Sequence, residues 1–247
     1  MTDAVAIETP IGTCRVLDAD CELAEAVSEG RRPQAVRECV ALEVTVATGA
    51  FAKLGASLPP GSIGLLVHSG LLMRRVGIDG RFGAELLGPG DVLRPWQDDA
   101  IEPTVLQLTI GWRVLEPARV MILDHRFARH LGSYPELAGP LFGRAVERAR
   151  NLAINMAIVH QPRVDVRLHM LLWHLAERWG TVSSRGVRLP LRLTHSVLAE
   201  LVAARRPTVT SALSDLARRD LLRQEDDGWL LAGARPGELV ELAPARR

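Results

Sequence analysis

Arg205 and Arg206, followed by Thr208, Thr210, Ser211 and Ser214, place two guanidinium groups and four hydroxyls in one short stretch. A guanidinium fork pairs with phosphate or with the O6/N7 edge of guanine, and hydroxyls bond phosphate oxygens and base edges. This is the chemistry of recognition, with no covalent step. It works only if one scaffold turns all six side chains the same way. Val209, Ala212, Leu213 and Leu216 recur at helical spacing and give such a helix its inner stripe, while Pro207 suits the first turn, where its missing N–H is not needed. Upstream, Thr194 reads as an N-cap, and Val197, Leu198, Leu201 and Val202 form the apolar face of a shorter helix. Ala203-Ala204 supplies small residues for the corner between them, where many such motifs carry a glycine. The pair reads as a support helix and a helix able to enter a DNA groove, with Thr194, His195 and Ser196 as further candidate contacts; an ordinary solvated helix pair is the alternative.

Asp220-Leu221-Leu222-Arg223-Gln224-Glu225, Asp226-Asp227-Gly228 and Trp229-Leu230-Leu231 follow as strand, turn and strand, since Asp-Gly between apolar runs is a strong hairpin signal. Two helices and a hairpin make a winged domain. Leu193-Thr194, Ala199-Glu200-Leu201-Val202, Thr208-Val209 and Asp220-Leu221-Leu222 together resemble the C-terminal domain of the Crp/Fnr regulators. The resemblance puts the family's first base-reading arginine on Arg206 and its hydroxyl phosphate contact on Thr208. It also shows departures: Pro207 stands where the family has a recognition glutamate, and Ser211 where it has a second base-reading arginine. Proline offers no side-chain hydrogen bond and serine is short and uncharged, so the operator is expected to differ from the family's best-known one.

Charge is distributed as that reading requires. Residues 1–162 carry 16 basic and 19 acidic side chains, while residues 163–247 carry 14 and 10, so the positive end is the end with the paired arginines. With 247 residues and 47% hydrophobic content the chain can bury the cores of two domains. No run approaches a membrane span, and Met1-Thr2-Asp3-Ala4 lacks the parts of a signal peptide, which predicts a cytoplasmic protein with no membrane partner. Cys14, Cys21 and Cys39 form no disulfide framework and fit a reducing compartment.

The first half reads as β-rich, with few helices. Residues 40–46, 63–67, 71–76 and 84–87 are short apolar or alternating runs broken by glycine and proline. Ile78-Asp79-Gly80-Arg81 predicts a hairpin, and Leu87-Gly88-Pro89-Gly90-Asp91-Val92 a Gly-Asp corner. With Gly70, Gly80, Gly90 and Asp91 in that order, this half resembles the Crp/Fnr sensor, a cyclic-nucleotide-binding β-roll. The resemblance stops at the ligand. Leu93-Arg94-Pro95-Trp96-Gln97 follows the corner where nucleotide binders have a Gly-Glu pair, and nothing downstream through Gln107-Leu108-Thr109-Ile110 restores the Arg-x-Ala pattern that pairs the cyclic phosphate. A buried phosphate without its arginine is underpaired, so no cAMP binding is expected. Arg94 and Trp96 are the candidate effector contacts, for an effector the sequence does not name.

Other sensing chemistries find little support. Three scattered cysteines do not suit an iron–sulfur cluster, and a buried structural role is the reading for Cys14, Cys21 and Cys39, with a simple thiol response to oxidants as the alternative. His125 with His130, and His169 with His174, are five apart, which on a helix turns the rings roughly 140° from one another, too far for one metal. Nothing favours haem ligation by His68. No metal and no cofactor are expected. Enzyme signatures are also missing: there is no phosphate-binding Gly-Lys loop, nucleophile elbow or His-Glu-x-x-His helix, and Asp98-Asp99 and Asp226-Asp227 sit in turn contexts.

Leu137, Leu141, Ala145, Val146, Ala149, Leu152, Ala153, Met156 and Ala157 recur at three and four along a helix of more than four turns that ends before Pro162. Such a stripe wants a partner, and the resemblance implies its twin in a homodimer. Val164, Leu168, Leu171, Leu172, Leu175 and Trp179 then mark a helix carrying the winged domain, with Ser183-Ser184-Arg185-Gly186 as a linker-like loop and a short irregular tail from Gly233. The expected fold class is α+β: a jelly-roll-like, cyclic-nucleotide-binding-like β-roll (residues 1–130), a dimerisation helix region (131–161) and a winged helix-turn-helix (162–247). The expected function is a sequence-specific, homodimeric transcriptional regulator that binds a palindromic site in double-stranded DNA, with RNA polymerase as a candidate partner. An interaction or effector-binding module of the same fold that has lost DNA binding is the alternative.

Overall fold

Leu65-Leu66-Val67 and Val120-Met121 are apolar at successive positions, which a strand tolerates only when both its faces are covered. The computed structural model, which describes residues 8–50, 61–95 and 108–233, shows that cover. Strands β1 (Glu8–Arg15), β2 (Val40–Val46), β3 (Gly49–Ala50), β4 (Gly64–Ile78), β5 (Arg81–Leu87), β6 (Val92–Leu93) and β7 (Leu108–Leu123) form one sheet. Its order is β1-β2-β7-β4-β5, with β3 on β7 and β6 on β4, and the registered pairs are antiparallel. Val44, Val46, Leu65, Val67, Leu72, Leu87, Leu93, Val114 and Val120 fill one core. Ala41, Leu66, Met121 and Leu123 face a second core, shared with Val16, Leu17, Leu23, Phe127 and Leu137 from helical segments.

Those segments correct the expectation of few helices in this half: α1 (Val16–Ala19), α2 (Cys21–Ala26) and α3 (Arg32–Glu38) precede β2. They are short, and α2 is started by Asp20, whose side chain accepts from the Leu23 amide. The two runs expected at 63–67 and 71–76 are also one strand. β4 passes through His68-Ser69-Gly70 with shifts in register rather than stopping. Gly70 permits this, since its φ is +90° and a Cβ there would lie 2.4 Å from the Pro117 carbonyl oxygen. The predicted hairpin at 78–81 forms, with Asp79 and Gly80 both at positive φ as a two-residue primed turn demands. At the Gly-Asp corner, Asp91 is buried and its carboxylate accepts from the Gly88 amide at 2.8 Å.

Helix α4 (His125–Ser133) and a single 3₁₀ turn at Pro135–Leu137 lead into α5 (Ala138–Val159), the long helix expected from the apolar stripe. Leu137 and Leu141 are buried, whereas Phe142, Val146 and Met156 are 72%, 52% and 64% exposed. Then come α6 (Val164–Trp179), β8 (Thr181–Ser183), β9 (Gly186–Leu189), α7 (His195–Leu201), α8 (Arg206–Arg218), β10 (Leu222–Glu225) and β11 (Gly228–Leu231). Ser183–Gly186 is therefore not a linker. It turns a β8–β9 hairpin whose second strand pairs with β11, giving a sheet of order β10-β11-β9-β8. The chain divides into two units, Met1–Gly80 with Ala84–Asn151, and Arg81–Gly83 with Leu152–Arg247.

The cysteines differ from one another. Cys39 is buried and its thiol is pushed up to about 11 by burial, Cys14 is partly exposed, and Cys21 is exposed. The structural reading holds for Cys39 and is corrected for Cys21. Trp96, Asp98 and Asp99 lie outside the described residues, as does the tail beyond Gly233.

Candidate nucleic-acid interface

The local sequence builds the α7–α8 corner in a definite order. Thr194 is extended, and its hydroxyl accepts from the Val197 amide at 3.3 Å, which starts α7 as anticipated. Val197, Leu198, Ala199 and Leu201 are buried. The helix ends at Val202, and Ala203 turns the chain at φ +48°, the position that many such corners give to glycine. The Ala204 amide reaches back to the Ala199 carbonyl at 2.9 Å, and Arg205, again extended, opens α8. Val209, Ala212, Leu213 and Leu216 are buried along one side of α8, which packs on α6 and α7.

Sequence reasoning missed the residue that secures this corner. Arg167, on α6, donates from Nη1 to the Val202 carbonyl at 3.1 Å and from Nε to the Gln161 carbonyl at 2.5 Å, with the Ala203 carbonyl 3.5 Å away. A cation thus serves the carbonyls left over where α7 ends, which both satisfies them and suits the negative end of the helix. No local pattern signals the link to the corner, because Val202 and Ala203 lie 35 and 36 residues from Arg167.

The opposite side of the pair is open. Arg205, Arg206, Thr208, Thr210, Ser211 and Ser214 are all exposed, as are Thr194 and Ser196 at the start of α7. Among the described residues no carboxylate pairs with Arg205 or Arg206. The hydroxyls of Thr210, Ser211 and Ser214 donate to the carbonyls of Arg206, Pro207 and Thr210, at 3.1, 3.3 and 3.1 Å, and remain available as acceptors. His195 Nδ1 lies 2.9 Å from Thr210 Oγ1, so these two candidates tie α7 to α8. The wing tip is acidic but partly neutralised: Arg188 pairs with Asp227 at 2.6 Å and approaches Glu225 at 3.5 Å, and Arg185 approaches Glu225 at 3.3 Å. Asp227 thus stands in the hairpin turn and is ion-paired.

Beneath α8, His169 is 1% exposed. Burial, then the Arg219 charge, lower its pKa to about 4 against the opposing effect of Asp165. Trp173 Nε1 donates to His169 Nε2 at 3.0 Å, which requires that nitrogen to be unprotonated. His174 lies 3.5 Å from Glu177, so the two histidines of that helix have separate partners. In the β-roll, Arg94 is exposed at the end of β6. Glu85 is buried on β5 and takes Arg148 of α5 in a two-pronged pair at 3.0 and 2.6 Å, with Arg74 at 3.4 Å.

A β-roll, a long helix with an uncovered apolar side, and a winged helix-turn-helix with an open basic and hydroxyl face define the class of winged helix-turn-helix DNA-binding regulators. Comparison with known proteins agrees with the resemblance seen in the sequence. Residues 166–232 match the family of the Crp-like helix-turn-helix domain. The CRP-like cAMP-activated global transcriptional regulator of Mycobacterium tuberculosis (strain CDC 1551 / Oshkosh) is 34% identical over 98 residues, 40% of this chain and 44% of that protein. The match thus spans under half the length of that curated relative. Among solved structures, a cyclic nucleotide-binding domain containing protein from Listeria monocytogenes EGD-e has a TM-score of 0.64 at 16% identity, covering 85% of this chain and 96% of the other. A CooA mutant from Carboxydothermus hydrogenoformans gives 0.59 at 15% identity, covering 96% and 98%. FixK2 from Bradyrhizobium japonicum gives 0.58 at 16%, covering 84% and 99%. The C-terminal unit contains a Crp-like helix-turn-helix domain, and the chain has the fold of the Crp/Fnr regulators.

Proposed function

We propose that this protein is a sequence-specific, DNA-binding transcriptional regulator of the Crp/Fnr type. The observation that carries the reading is the exposed side of α8 and its lead-in, where Arg205, Arg206, Thr208, Ser211 and Ser214 stand clear of the buried stripe on a Crp-like domain. Arg206 reads a base edge in the major groove, Arg205 and Thr208 hold phosphates, and Thr194, Ser196 and the His195–Thr210 pair flank the groove. Two copies joined through α5 bind a palindromic operator in double-stranded DNA. The roll occupies 1–130, the dimer helix region 131–161 and the winged domain 162–247.

The matched relative is named as cAMP-activated, yet between the Gly-Asp corner and Ile110 the present chain has neither the Gly-Glu pair nor the phosphate-binding arginine pattern, so the proposed regulator does not take cAMP as its effector. The protein works in the cytoplasm, beside RNA polymerase, and not as an enzyme. No described helix is long and apolar enough to cross a membrane.

The test is binding of the purified chain to a random duplex pool, followed by sequencing of the retained fraction. The expected result is an enriched palindrome whose binding weakens steeply as salt is raised. Failure to retain any duplex at low ionic strength would leave the non-DNA-binding interaction module as the reading.

A further inference from the structure

Cys14 on β1, Glu43 on β2 and His68 on β4 come from three strands of the roll, yet their ligand atoms all lie within 4.8 Å of one another. Among the described residues no other set of three such side chains meets that geometry. The Glu43 side chain is 4% exposed and both its oxygens are engaged: Oε1 is 2.6 Å from His68 Nδ1, and Oε2 accepts from Arg119 at 2.5 Å. Cys14 and His68 are each partly exposed, so the cluster is open to solvent on one side while its carboxylate is held from within.

We propose that Cys14, Glu43 and His68 bind one divalent transition-metal ion of the zinc class. The donor set decides the class. Thiolate and imidazole suit borderline-soft ions, whereas magnesium and calcium take oxygen ligands and have no use for a thiolate. A tetrahedral zinc ion, with bonds of about 2.3 Å to sulfur and about 2.0–2.2 Å to nitrogen and oxygen, sets its donors roughly 3.3–3.7 Å apart. Glu43 and His68 therefore separate by about an ångström to admit the ion, and the Cys14 sulfur closes on it. The thiol proton leaves to solvent as the metal–sulfur bond forms, the proton shared by His68 Nδ1 and Glu43 Oε1 passes to His68 Nε2 or to solvent so that both atoms can ligate, and water fills the fourth position. Arg119, bonded to the far oxygen, keeps the Glu43 carboxylate oriented as an outer-shell partner does at metal sites. Spacing along the chain does not signal this cluster, because the sheet gathers unlike ligands from positions 14, 43 and 68.

The measurement is cobalt and zinc binding by the full chain after chelator treatment. Cobalt should saturate at one ion per chain and produce thiolate-to-metal absorption with tetrahedral visible bands. Competition with a chromophoric chelator should show Cys14→Ser and His68→Gln binding zinc more than about 100-fold more weakly, the upper end of what losing even an outer-shell partner costs. Cys21→Ser, at an exposed cysteine outside the cluster, should bind as the unaltered chain does. The unaltered chain supplies an independent readout: zinc should protect Cys14, and not Cys21, from iodoacetamide as followed by mass spectrometry. Substoichiometric cobalt, a thiolate band that persists in Cys14→Ser, or alkylation of Cys14 indifferent to zinc would each overturn the proposal and leave a plain His–Glu–Arg network. None of these outcomes depends on DNA binding.

Discussion

Arg205 and Arg206 are neighbours in sequence but not equivalent, since Arg205 is the extended residue before α8 and Arg206 opens its first turn. If Arg206 reads a base edge, Arg206→Ala costs about 1–3 kcal/mol of specific binding and relaxes preference at one position of each half-site. Arg205→Ala should instead weaken all duplexes alike and lower the salt dependence. Titrations of matched and single-mismatch operators separate the two, and unchanged discrimination in Arg206→Ala would remove its assigned role. His169 carries a prediction of a different kind. Its folded pKa of about 4 lies below the roughly 6.5 of an unfolded histidine, so between those values the unfolded chain takes up the proton and the folded chain refuses it. Stability from this group is complete above pH 6.5 and is lost as pH falls towards 4, on the order of 3 kcal/mol in all. Urea denaturation at pH 7, 5.5 and 4.5 should show that decline. It should be shallower in His169→Gln, which keeps an acceptor for Trp173 without titrating; an equal slope in the variant would assign the acid sensitivity elsewhere.

At the scale of elements, the α7–α8 corner shows what local spacing reveals and what it hides. The N-cap Thr194 and both buried stripes were legible because a helix repeats every few residues and each cap acts within one turn. Arg167 was not legible, because its carbonyl partners at Val202 and Ala203 belong to another part of the chain. Similar limits explain the roll. Strand β4 read as two because His68-Ser69-Gly70 interrupts the apolar pattern without ending the pairing, and α1 to α3 are too short to show a helical period. The β8–β9 hairpin read as a linker because β8 carries polar Thr181 and Ser183 around a Val182 that is 83% exposed, leaving no buried alternation to find. Two substitutions test the corner. Arg167→Met removes hydrogen bonds from a charged donor and should destabilise the winged domain by about 1.5–3 kcal/mol, seen as a lower midpoint in denaturant. Ala203→Gly relieves a left-handed alanine and should stabilise by about 0.5 kcal/mol, after the greater freedom of glycine in the unfolded chain is offset. Destabilisation by Ala203→Gly would mean that the alanine methyl contributes packing worth more than the backbone conformation costs.

For the molecule as a whole, the open question is what covers α5. Its Leu141 is buried against the roll's core and its Arg148 is paired with buried Glu85, so part of the helix is committed to its own chain. Phe142 and Val146 stand one turn apart with their side chains in solvent, and Met156 continues the exposed apolar series further along. A monomer leaving such a series uncovered loses the stabilisation that burial would bring, whereas a twin helix covers it on both copies at once. If the proposed twin covers α5, Val146→Glu places two carboxylates, one from each copy, in that seam. Desolvating them should weaken the dimer by roughly 3 kcal/mol or more, which sedimentation equilibrium would register as monomer at micromolar concentration. The DNA consequence separates dimer loss from misfolding. A folded monomer should retain the affinity of one winged domain for an isolated half-site and lose the gain that linkage gives on the palindrome. A Val146→Glu chain that remains dimeric, or that binds palindrome and half-site in the same ratio as the unaltered protein, would show that α5 is covered by something other than its twin.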